Sequence, residues 1–303
     1  MTDRPIPDRL PPLTLPDLTG RRVIVTGASS GIGKATATAL AAAGADVVLA
    51  VRNLVKGAAV ADEITERVPQ ARLEVEHIEL GSLESIASFA ERLAGTPVHL
   101  LINNAGLSSA SSQEVTSDGF DRQIGVNYLG AFALTCRLWP ALLAGAGRVV
   151  VLGSMMASRA QLPADIGQRP ESTVSAYSIS KLAAVVFAGE LRHRLEIAAS
   201  PVTAVAAHPG WSQTAIFDTN GPPAPIMWIG KATGAIQSPA DGAQPVLLAA
   251  TAVDPAPYYG PLHRAGASGP AGPVALPPGA TEPGVGELLW KRSAELTGCD
   301  LRP

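Results

Sequence analysis

Two side chains near the middle of the chain, Tyr177 and Lys181, could move a proton together. They stand four residues apart in SAYSISKLAAVVFAGELRHRL, which has helical spacing, so both would project from one helix face. A phenol with a reference pKa of about 10 is a poor base at neutral pH, but an adjacent ammonium stabilises the phenolate. The same pair is also common on helix surfaces, so the rest of the chain must decide between the two interpretations.

A serine stands where it would complement this pair. Ser154 ends the aliphatic run GRVVVLGS, which has the composition of a buried strand. A hydroxyl at the end of a strand can hydrogen-bond to a substrate oxygen and hold it while charge develops, and a simple turn serine is the alternative. Together the three residue types predict acid/base chemistry at an oxygen atom.

A glycine-rich segment, TGASSGIGK at positions 26 to 34, follows the first aliphatic run and opens a helical pattern. Glycines let the backbone approach a pyrophosphate closely, and the amides and positive end of the next helix attract it. The spacing G-x-x-x-G-x-G is one residue wider than the common dinucleotide fingerprint. The order of strand, turn and helix therefore predicts a phosphate loop, with contacts from Gly27, Ser29, Ser30, Gly31, Ile32 and Gly33.

Six aliphatic runs alternate with segments of helical spacing. The predicted strands are RRVIVTG, DVVLAVR, RLEVEHIEL, HLLINNAG, GRVVVLGS and SPVTAVAAHPG, and the predicted helices are 31 to 43, 54 to 67, 83 to 94, 120 to 144 and 175 to 197, with Ser82 as the N-cap of the third. Runs this apolar suit strands buried on both faces. The fold class is therefore α/β, a doubly wound parallel sheet of the Rossmann type that binds ligands beyond the carboxyl ends of its strands.

The chain is expected to form a single domain with two extensions. Residues 1 to 20 hold five prolines and no regular period, which predicts an arm that lies on the surface or is disordered. Residues 21 to 260 would form the dinucleotide-binding and catalytic domain. Residues 261 to 303 would form a C-terminal extension whose last helix lies in GELLWKRSAELTG, with Gly298 as its stop.

Two segments are expected to shape the substrate site. RAQLPADIGQRPES, between Ser154 and Tyr177, would put an extra loop beside the substrate, and residues 215 to 240 would form a lid. The apolar side chains of the lid region are Trp211, Ile216, Phe217, Ile226, Met227 and Trp228. If these residues form a lid rather than simple packing, the substrate is an apolar molecule larger than a sugar.

Composition narrows the class of partner. The net charge of -3 and the 16% of charged residues favour neither a nucleic acid nor an anionic membrane surface, so a small molecule is the expected partner. Cys136 and Cys299 have no metal-site spacing and no histidine cluster accompanies them, so no metal is expected. We expect a soluble, cytoplasmic protein without a membrane span, because no apolar run is long enough.

Taken in order, these motifs resemble the short-chain dehydrogenase/reductase superfamily. TGASSGIG is similar to its cofactor loop, Asn103-Asn104-Ala105-Gly106 to its N-N-A-G motif, and Tyr177-x-x-x-Lys181 to its signature. The match covers roughly residues 20 to 215 in the right chain order. The segments YYGP and LLWKRSAELTG also resemble bacterial members of its retinol-dehydrogenase-like branch.

The resemblance implies roles for individual residues. Its catalytic set would be Asn127, Ser154, Tyr177 and Lys181, with Asn127 organising water behind Lys181 in a proton relay, although a satisfied buried amide is the alternative for Asn127. Lys181 would also hold the nicotinamide ribose. Cofactor contacts would come from Asn104, Ala105, Gly106, Pro209, Gly210, Ser212 and Thr214. Relatives often pair through the helices near 120 and 175, so a homodimer is expected unless the loop before Tyr177 covers that surface.

The end of the second strand favours NADP(H) over NAD(H). An NAD enzyme would place a carboxylate there for the adenosine ribose, but this chain has Val51, followed by Arg52 and Asn53. A guanidinium can pair with a 2'-phosphate and stack on adenine, while a solvated strand-end arginine is the alternative. After the third strand Glu79, followed by Leu80, stands where many relatives carry an aspartate against adenine.

The expected reaction is hydride transfer between nicotinamide and a carbonyl or alcohol, with Tyr177 as acid/base and Ser154 holding the oxygen. His208 precedes Pro209 and is expected to be a structural histidine rather than a general base. Two alternatives stay open: an NAD-dependent enzyme of the same type, and a nicotinamide-binding redox sensor without turnover.

Overall fold

The computed structural model describes residues 13 to 108, 114 to 212 and 236 to 301. Its strands are β1 Arg22–Thr26, β2 Asp46–Val51, β3 Arg72–His77, β4 Leu100–Asn103, β5 Arg148–Leu152, β6 Thr203–Ala207, β7 Tyr258–His263 and β8 Ser268–Pro273. They form one sheet in the order β3-β2-β1-β4-β5-β6-β7-β8, parallel throughout except for β8. The predicted doubly wound parallel sheet is confirmed, as are all six predicted strands.

Helices cover both faces of this sheet. They are α1 Gly31–Ala42, α2 Leu54–Arg67, α3 Leu83–Arg92, α4 Arg122–Ile124, α5 Gly130–Arg137, α6 Trp139–Ala144, α7 Thr173–Ile197, α8 Pro239–Thr251 and α9 Val285–Thr297. The Ser82 side chain accepts the Ser85 N–H at the start of α3, as predicted. Gly298 ends α9 in the left-handed conformation that favours glycine, with φ of 63°, which confirms the predicted stop.

Side chains on the strands alternate between two hydrophobic cores. Val48 and Leu101 face the core that also contains residues of α3, α5, α7 and α9. Val47 and Leu49 face the core that contains residues of α1, α2 and α8. Because each central strand is buried on both faces, its carboxyl end is held firmly and can position the residue that follows it.

The segment predicted as one helix from 120 to 144 is divided in the structure. Asp121 caps α4, a π-helical turn occupies Gly125–Leu129, and α5 and α6 are separated at Leu138. Pro140 contributes to the division, because it lacks the N–H that would continue α5 and is tolerated only in the first turn of α6. Hydrophobic spacing alone did not reveal the π-helical turn, which carries Asn127.

The sheet continues beyond the expected domain boundary at residue 260. That boundary falls inside β7, and β8 lies in the expected C-terminal extension, within a segment that is rich in glycine, proline and alanine. Pro270 and Pro273 cannot donate ladder hydrogen bonds, but β8 is the edge strand, where proline is tolerated. The extension therefore supplies part of the sheet as well as the terminal helix.

The terminal helix α9 packs on α5 and α7. The Trp290 ring centroid lies 5.2 Å from that of Phe132 and 5.9 Å from that of Phe187, and the Ser293 and Tyr128 hydroxyls are 2.5 Å apart. This is the face through which the expected homodimer would form. The helix α9 therefore covers part of the surface through which the homodimer was expected to form.

The extra loop before Tyr177 mostly packs away from the substrate site, contrary to expectation. Leu162 and Ile166 lie against the core, and Asp165 forms an ion pair with Arg292 of α9, with Oδ1 2.7 Å from Nε. Apolar and acidic groups in the loop thus find partners on the terminal helix. Within this loop, at positions 159 to 172, Arg159 lines the large cleft at the carboxyl ends of the strands.

At the start of the described chain, Leu13, Leu15 and Leu18 are partly buried against the core that contains α1. This part of the predicted arm lies on the protein surface. Among the helices of the described residues, α7 is long and apolar enough to cross a membrane by length and composition, and 67% of its most apolar window is buried inside the protein. That share of burial is typical of a core helix, which α7 is in this fold.

Candidate active site

A cleft of about 1810 Å³ runs along the carboxyl ends of the central strands. Strand ends position its walls: Gly27 follows β1, Arg52 follows β2, Asn104 follows β4 and His208 follows β6. The structure brings most of the predicted site residues to this one cleft. They are Gly27, Ser29, Ser30, Gly31, Ile32, Arg52, Asn53, Glu79, Leu80, Asn104, Ala105, Gly106, Ser154, Tyr177, Lys181, Pro209, Gly210 and Ser212.

Two predicted site residues do not line the cleft. Gly33 stands behind the phosphate loop and Asn127 behind Gly106, so both support the wall rather than line it. Thr214 lies outside the described residues, as does nearly all of the predicted lid at 215 to 240. Trp211, which precedes that segment, lines the cleft.

The phosphate loop forms a cradle that only glycine permits. Gly31 opens α1 with a φ of 53°, and Gly27 has a φ of 67°, both in the left-handed region. A Cβ on Gly33 would lie 2.4 Å from the Gly27 carbonyl oxygen. The N-cap residue Ser30 makes no side-chain capping bond, so the first amides of α1 face the cleft without a hydroxyl cap. A dinucleotide pyrophosphate fits this cradle.

The N-N-A-G segment holds that loop in place. Asn104 Nδ2 donates to the Thr26 carbonyl oxygen at 2.7 Å, and the Thr26 hydroxyl accepts the backbone N–H groups of Asn104 and Ala105, each at 3.0 Å. The ends of β1 and β4 are thereby locked together. The asparagine side chain positions the loop, while Ala105 and Gly106 line the cleft.

The adenosine end of the cleft carries both signs of charge. Arg52 Nε lies 3.6 Å from a Glu79 carboxylate oxygen, and 65% of the Arg52 side chain is exposed. The other Glu79 oxygen accepts the Gly81 N–H at 3.1 Å. Lys56, which sequence analysis missed, also lines this end, whereas the Asn53 side chain is occupied as the cap of α2 by the Lys56 N–H.

At the reaction centre, the Tyr177 hydroxyl lies close enough to Ser154 for the two side chains to interact. Burial raises the pKa of Tyr177 above its ordinary value, and the neighbouring Ser154 hydroxyl opposes that rise. The Ser154 hydroxyl also accepts the Met156 N–H at 3.2 Å, which fixes its orientation. The phenol is therefore protonated at neutral pH and can act as a proton donor.

Lys181 is almost completely buried, with 3% of its surface exposed. Its Nζ donates to the Leu152 carbonyl oxygen at 3.0 Å, and burial lowers its pKa to about 8. The pKa of Tyr177 is raised by burial of the phenol, contrary to the lowering expected from this ammonium. A buried cation at the end of β5 suits a polar ligand that replaces lost water, such as ribose hydroxyls.

Asn127 connects the π-helical turn to the wall of the cleft. Its side chain exchanges two hydrogen bonds with the Leu107 backbone, at 2.8 and 2.9 Å, and donates to the Ser180 hydroxyl at 3.0 Å. A Cβ on Gly106 would meet both Asn127 Oδ1 and Lys181 Nζ, which places these two groups side by side. The satisfied-amide interpretation describes these bonds, and the relay role stays a prediction.

The turn after β6 forms part of the wall of the cleft. Gly210 has a φ of 69°, and Pro209 presents its carbonyl oxygen to Ser212 and Gln237. His208 is buried, and burial lowers its pKa to about 4, so the ring is neutral at physiological pH. Its Nδ1 accepts the Gly210 N–H at 3.3 Å. The structural role predicted for this histidine fits these contacts.

A further set of cleft residues has no signal in the amino-acid sequence. Two methionines follow Ser154, and β7 and the segment after β8 supply a wall that we call the C-terminal wall. Its members are Pro261, Leu262, Val274, Ala275, Leu276, Pro277 and Pro278. Met155, Met156 and Tyr258 also line the cleft. Because the segment from Gly266 to Gly286 has no strand or helical period, only the three-dimensional structure brings it to the site.

Fold and site together are those of a dinucleotide-binding oxidoreductase. Residues 21 to 223 match the family model of the short chain dehydrogenases, and the chain belongs to this family. Human retinol dehydrogenase 13 is 35% identical over 300 residues, which cover 93% of this chain and 86% of that protein. Mouse polyprenol dehydrogenase is 36% identical, covering 95% of this chain and 87% of that protein.

Solved structures show the same architecture. An uncharacterised protein from Mycobacterium paratuberculosis superposes with a TM-score of 0.78 at 35% identity, covering 96% of this chain and 99% of that chain. A short-chain dehydrogenase from Sphingobium yanoikuyae in complex with NADPH gives a TM-score of 0.59 at 25% identity, covering 75% of this chain and 83% of that chain. The resemblance inferred from the motifs is confirmed, including the likeness to retinol dehydrogenases.

Proposed function

We propose that this protein is an NADP(H)-dependent oxidoreductase that interconverts a carbonyl and an alcohol on an apolar, medium-sized substrate. The observation that carries the proposal is the pair of Ser154 and Tyr177 side chains in a cleft that also contains the phosphate loop. A redox sensor without turnover would need the loop but not this pair. Both are present in the same cleft, which favours an enzyme.

The chain's own groups act on the substrate oxygen. The nicotinamide, when bound, supplies or accepts the hydride. In the reducing direction the Tyr177 hydroxyl donates its proton to the oxygen, while Ser154 holds that oxygen in place. The buried Lys181 ammonium lies on the cofactor side of the pair, and Asn127 next to it could accept from a water in a relay toward solvent. Oxidation follows the same steps backwards.

The preference for NADP(H) depends on the adenosine end. Arg52 and Lys56 both line it, and two cations suit a 2'-phosphate better than a pair of ribose hydroxyls. The similar short-chain dehydrogenase from Sphingobium yanoikuyae holds NADPH. Glu79 beside Arg52 favours the second candidate, an NAD(H)-dependent enzyme, because a carboxylate can accept hydrogen bonds from the ribose.

The preference for an apolar substrate depends on the substrate end. Met155, Met156 and the C-terminal wall present apolar side chains beside Ser154 and Tyr177. Two similar proteins carry names of long apolar alcohols, retinol and polyprenol. A ketone, aldehyde or secondary alcohol with an apolar body is therefore the proposed class.

Turnover by the purified protein tests the proposal. We expect NADPH oxidation with apolar ketones or aldehydes, and we expect Tyr177→Phe to lower kcat by about 100- to 10,000-fold without changing the Kd for NADPH. Tyr259→Phe is the matched control, since the Tyr259 side chain packs in the core on the α1 side of the sheet. Turnover of small polar carbonyls alone would contradict the substrate class, and tighter binding of NADH than NADPH would favour the second candidate.

A further inference from the structure

The chain contains four tyrosines, and their hydroxyl groups differ in one respect. Tyr128 pairs with Ser293, Tyr177 pairs with Ser154, and the Tyr259 hydroxyl accepts the Ala256 N–H at 2.9 Å. For Tyr258, no group in residues 13 to 108, 114 to 212 and 236 to 301 hydrogen-bonds to the hydroxyl. Among the tyrosines of these described residues, Tyr258 is the one whose hydroxyl has no hydrogen-bond partner in the protein.

This hydroxyl lies beside the reaction centre. Tyr258 is 3% exposed, yet it lines the same cleft as Ser154 and Tyr177. A Cβ built on Gly153 would lie 3.2 Å from the Tyr258 hydroxyl oxygen, so the phenol reaches the residue directly before Ser154. Its ring rests against His208, with centroids 5.2 Å apart. Glycine at 153 is what allows the phenol to come so close.

The Tyr258 hydroxyl lines the cleft without a hydrogen-bond partner in the described residues, so it can donate to a bound molecule, whereas a phenylalanine in its place could not. Burial also raises the pKa of Tyr258, so the group stays protonated and able to donate at neutral pH. A ligand in the cleft that carries a hydrogen-bond acceptor would give the Tyr258 hydroxyl the partner that the protein does not supply.

The position of Tyr258 indicates the substrate rather than the dinucleotide as that ligand. Its ring belongs to the core on the α7 side of the sheet, while α1 and the phosphate loop belong to the other side. Its carbonyl oxygen accepts the Val274 N–H at 3.0 Å, which ties Tyr258 to the first residue of the C-terminal wall after β8. Tyr258 thus joins the substrate end to the residue that precedes Ser154.

We propose that the Tyr258 hydroxyl donates a hydrogen bond to a second oxygen of the substrate, close to the carbonyl held by Ser154 and Tyr177. This proposal rests on the proposed function, and it narrows the class of substrate. The preferred substrates are apolar carbonyl compounds with another acceptor oxygen next to the reacting carbonyl, as in vicinal diketones and α-hydroxyketones. Simple ketones would leave the Tyr258 hydroxyl unpaired in the complex.

A pair of ketones with one skeleton tests this proposal. Benzil carries two adjacent carbonyls, and deoxybenzoin is the same molecule with one of them replaced by a methylene. For Tyr258→Phe we expect kcat/KM for benzil to fall by about three- to ten-fold and for deoxybenzoin by less than about two-fold, the size of one neutral hydrogen bond. Tyr259→Phe is the control and should leave both values unchanged.

Two further measurements keep this result from being confused with other roles. The Kd for NADPH should be the same in wild type and Tyr258→Phe, and the Tm of Tyr258→Phe should stay close to that of wild type, because the substitution breaks no hydrogen bond among the described residues. In Tyr259→Phe the Tm should fall, because a backbone N–H loses its acceptor. Weaker NADPH binding, a lower Tm in Tyr258→Phe, or equal losses on both ketones would each overturn the proposal.

Binding without turnover separates this proposal from the proposed function. Quenching of tryptophan fluorescence by benzil, with NADP present, measures affinity whether or not benzil is reduced. If wild type reduces neither ketone, the proposed activity on this class fails, but a benzil Kd about three- to ten-fold weaker in Tyr258→Phe would still support the hydrogen bond. An unchanged Kd together with unchanged kinetics would overturn it.

Discussion

The two ends of the cleft are built in different ways. At the phosphate loop the wall is backbone, and its shape depends on glycines such as Gly27 and Gly33 that leave no room for a Cβ. At the substrate end the C-terminal wall is made of side chains such as Leu276 on a segment without regular period. A backbone-made site leaves a spacing in the sequence, whereas a side-chain wall becomes visible only in the fold. The ends should therefore also differ in how they tolerate substitution.

The largest effect is expected in the phosphate loop. In Gly33→Ala the new Cβ would lie 2.4 Å from the Gly27 carbonyl oxygen and 2.5 Å from Asn104 Nδ2, so backbone must move. We expect the Kd for NADPH to rise by about 100-fold and the free energy of unfolding to fall by about 1–3 kcal/mol. Gly189→Ala, where a Cβ meets nothing within 4 Å, should not weaken binding. Titration with NADPH and urea unfolding measure both, and normal binding by Gly33→Ala would remove the contrast between the two ends.

His208, between the two ends, should set the stability in mild acid. Its folded pKa of about 4 lies below the 6.5 of an unfolded histidine, so between these values only the unfolded chain binds the proton. Stability from this group is complete above pH 6.5 and is lost as the pH falls toward 4, by about 1.4 kcal/mol per pH unit. His208→Asn, which keeps an acceptor for the Gly210 N–H, should flatten this slope in urea unfolding.

Replacing exposed His193 by Gln should leave that slope as in wild type. If His208→Asn keeps the full slope, other groups are responsible for the acid sensitivity, and the ring at the cleft floor is not held neutral.

A smaller effect is expected at the C-terminal wall. Leu276→Ala shortens an apolar side chain that lines the cleft, which should raise KM for apolar ketones by about 10-fold. The Kd for NADPH should stay within about two-fold of wild type, since the cradle is untouched. Leu288→Ala, at a side chain that is 69% exposed, should change neither value. Equal changes in KM and in cofactor affinity would show that the two ends are not independent.

The smallest effect is expected at the adenosine end. Glu79→Gln removes the carboxylate beside Arg52, which frees the guanidinium for a phosphate, so NADPH affinity should rise by about two- to five-fold at low salt. The affinity of Glu79→Gln for NADH should not rise, because NADH has no 2'-phosphate. Glu76→Gln, at a carboxylate paired with Arg92, is the control. Weaker NADPH binding in Glu79→Gln would instead assign Glu79 to the adenosine, as its place in the family motif suggests.

Much of the fold could be predicted because the strands obey simple rules. Buried parallel strands are aliphatic throughout, and Ser82 and Gly298 are helix signals of the usual type. The glycine spacing of the phosphate loop and the order of Ser154, Tyr177 and Lys181 likewise pointed to one cleft, where the structure places them.

The rest depends on tertiary contacts that leave no local pattern. β8 reads SGPAGP, and it becomes a strand because β7 offers it an open edge. The π-helical turn at Asn127 has the same hydrophobic spacing as the α-helical turns beside it. Tyr258 was noted only as part of YYGP, and its position next to Gly153 follows from the pairing of β6 with β7.

The packing of α9 has a consequence for how the protein is made. During synthesis, β1 to β6 and the catalytic helix α7 leave the ribosome well before residues 285 to 297. Until then the aromatic rings of Tyr128, Phe132 and Phe187 lack the Trp290 ring that completes their cluster. The growing chain therefore exposes these apolar rings, one of which lies on α7 with Tyr177 and Lys181, until the last helix packs against them, and exposed apolar surface of this kind favours aggregation.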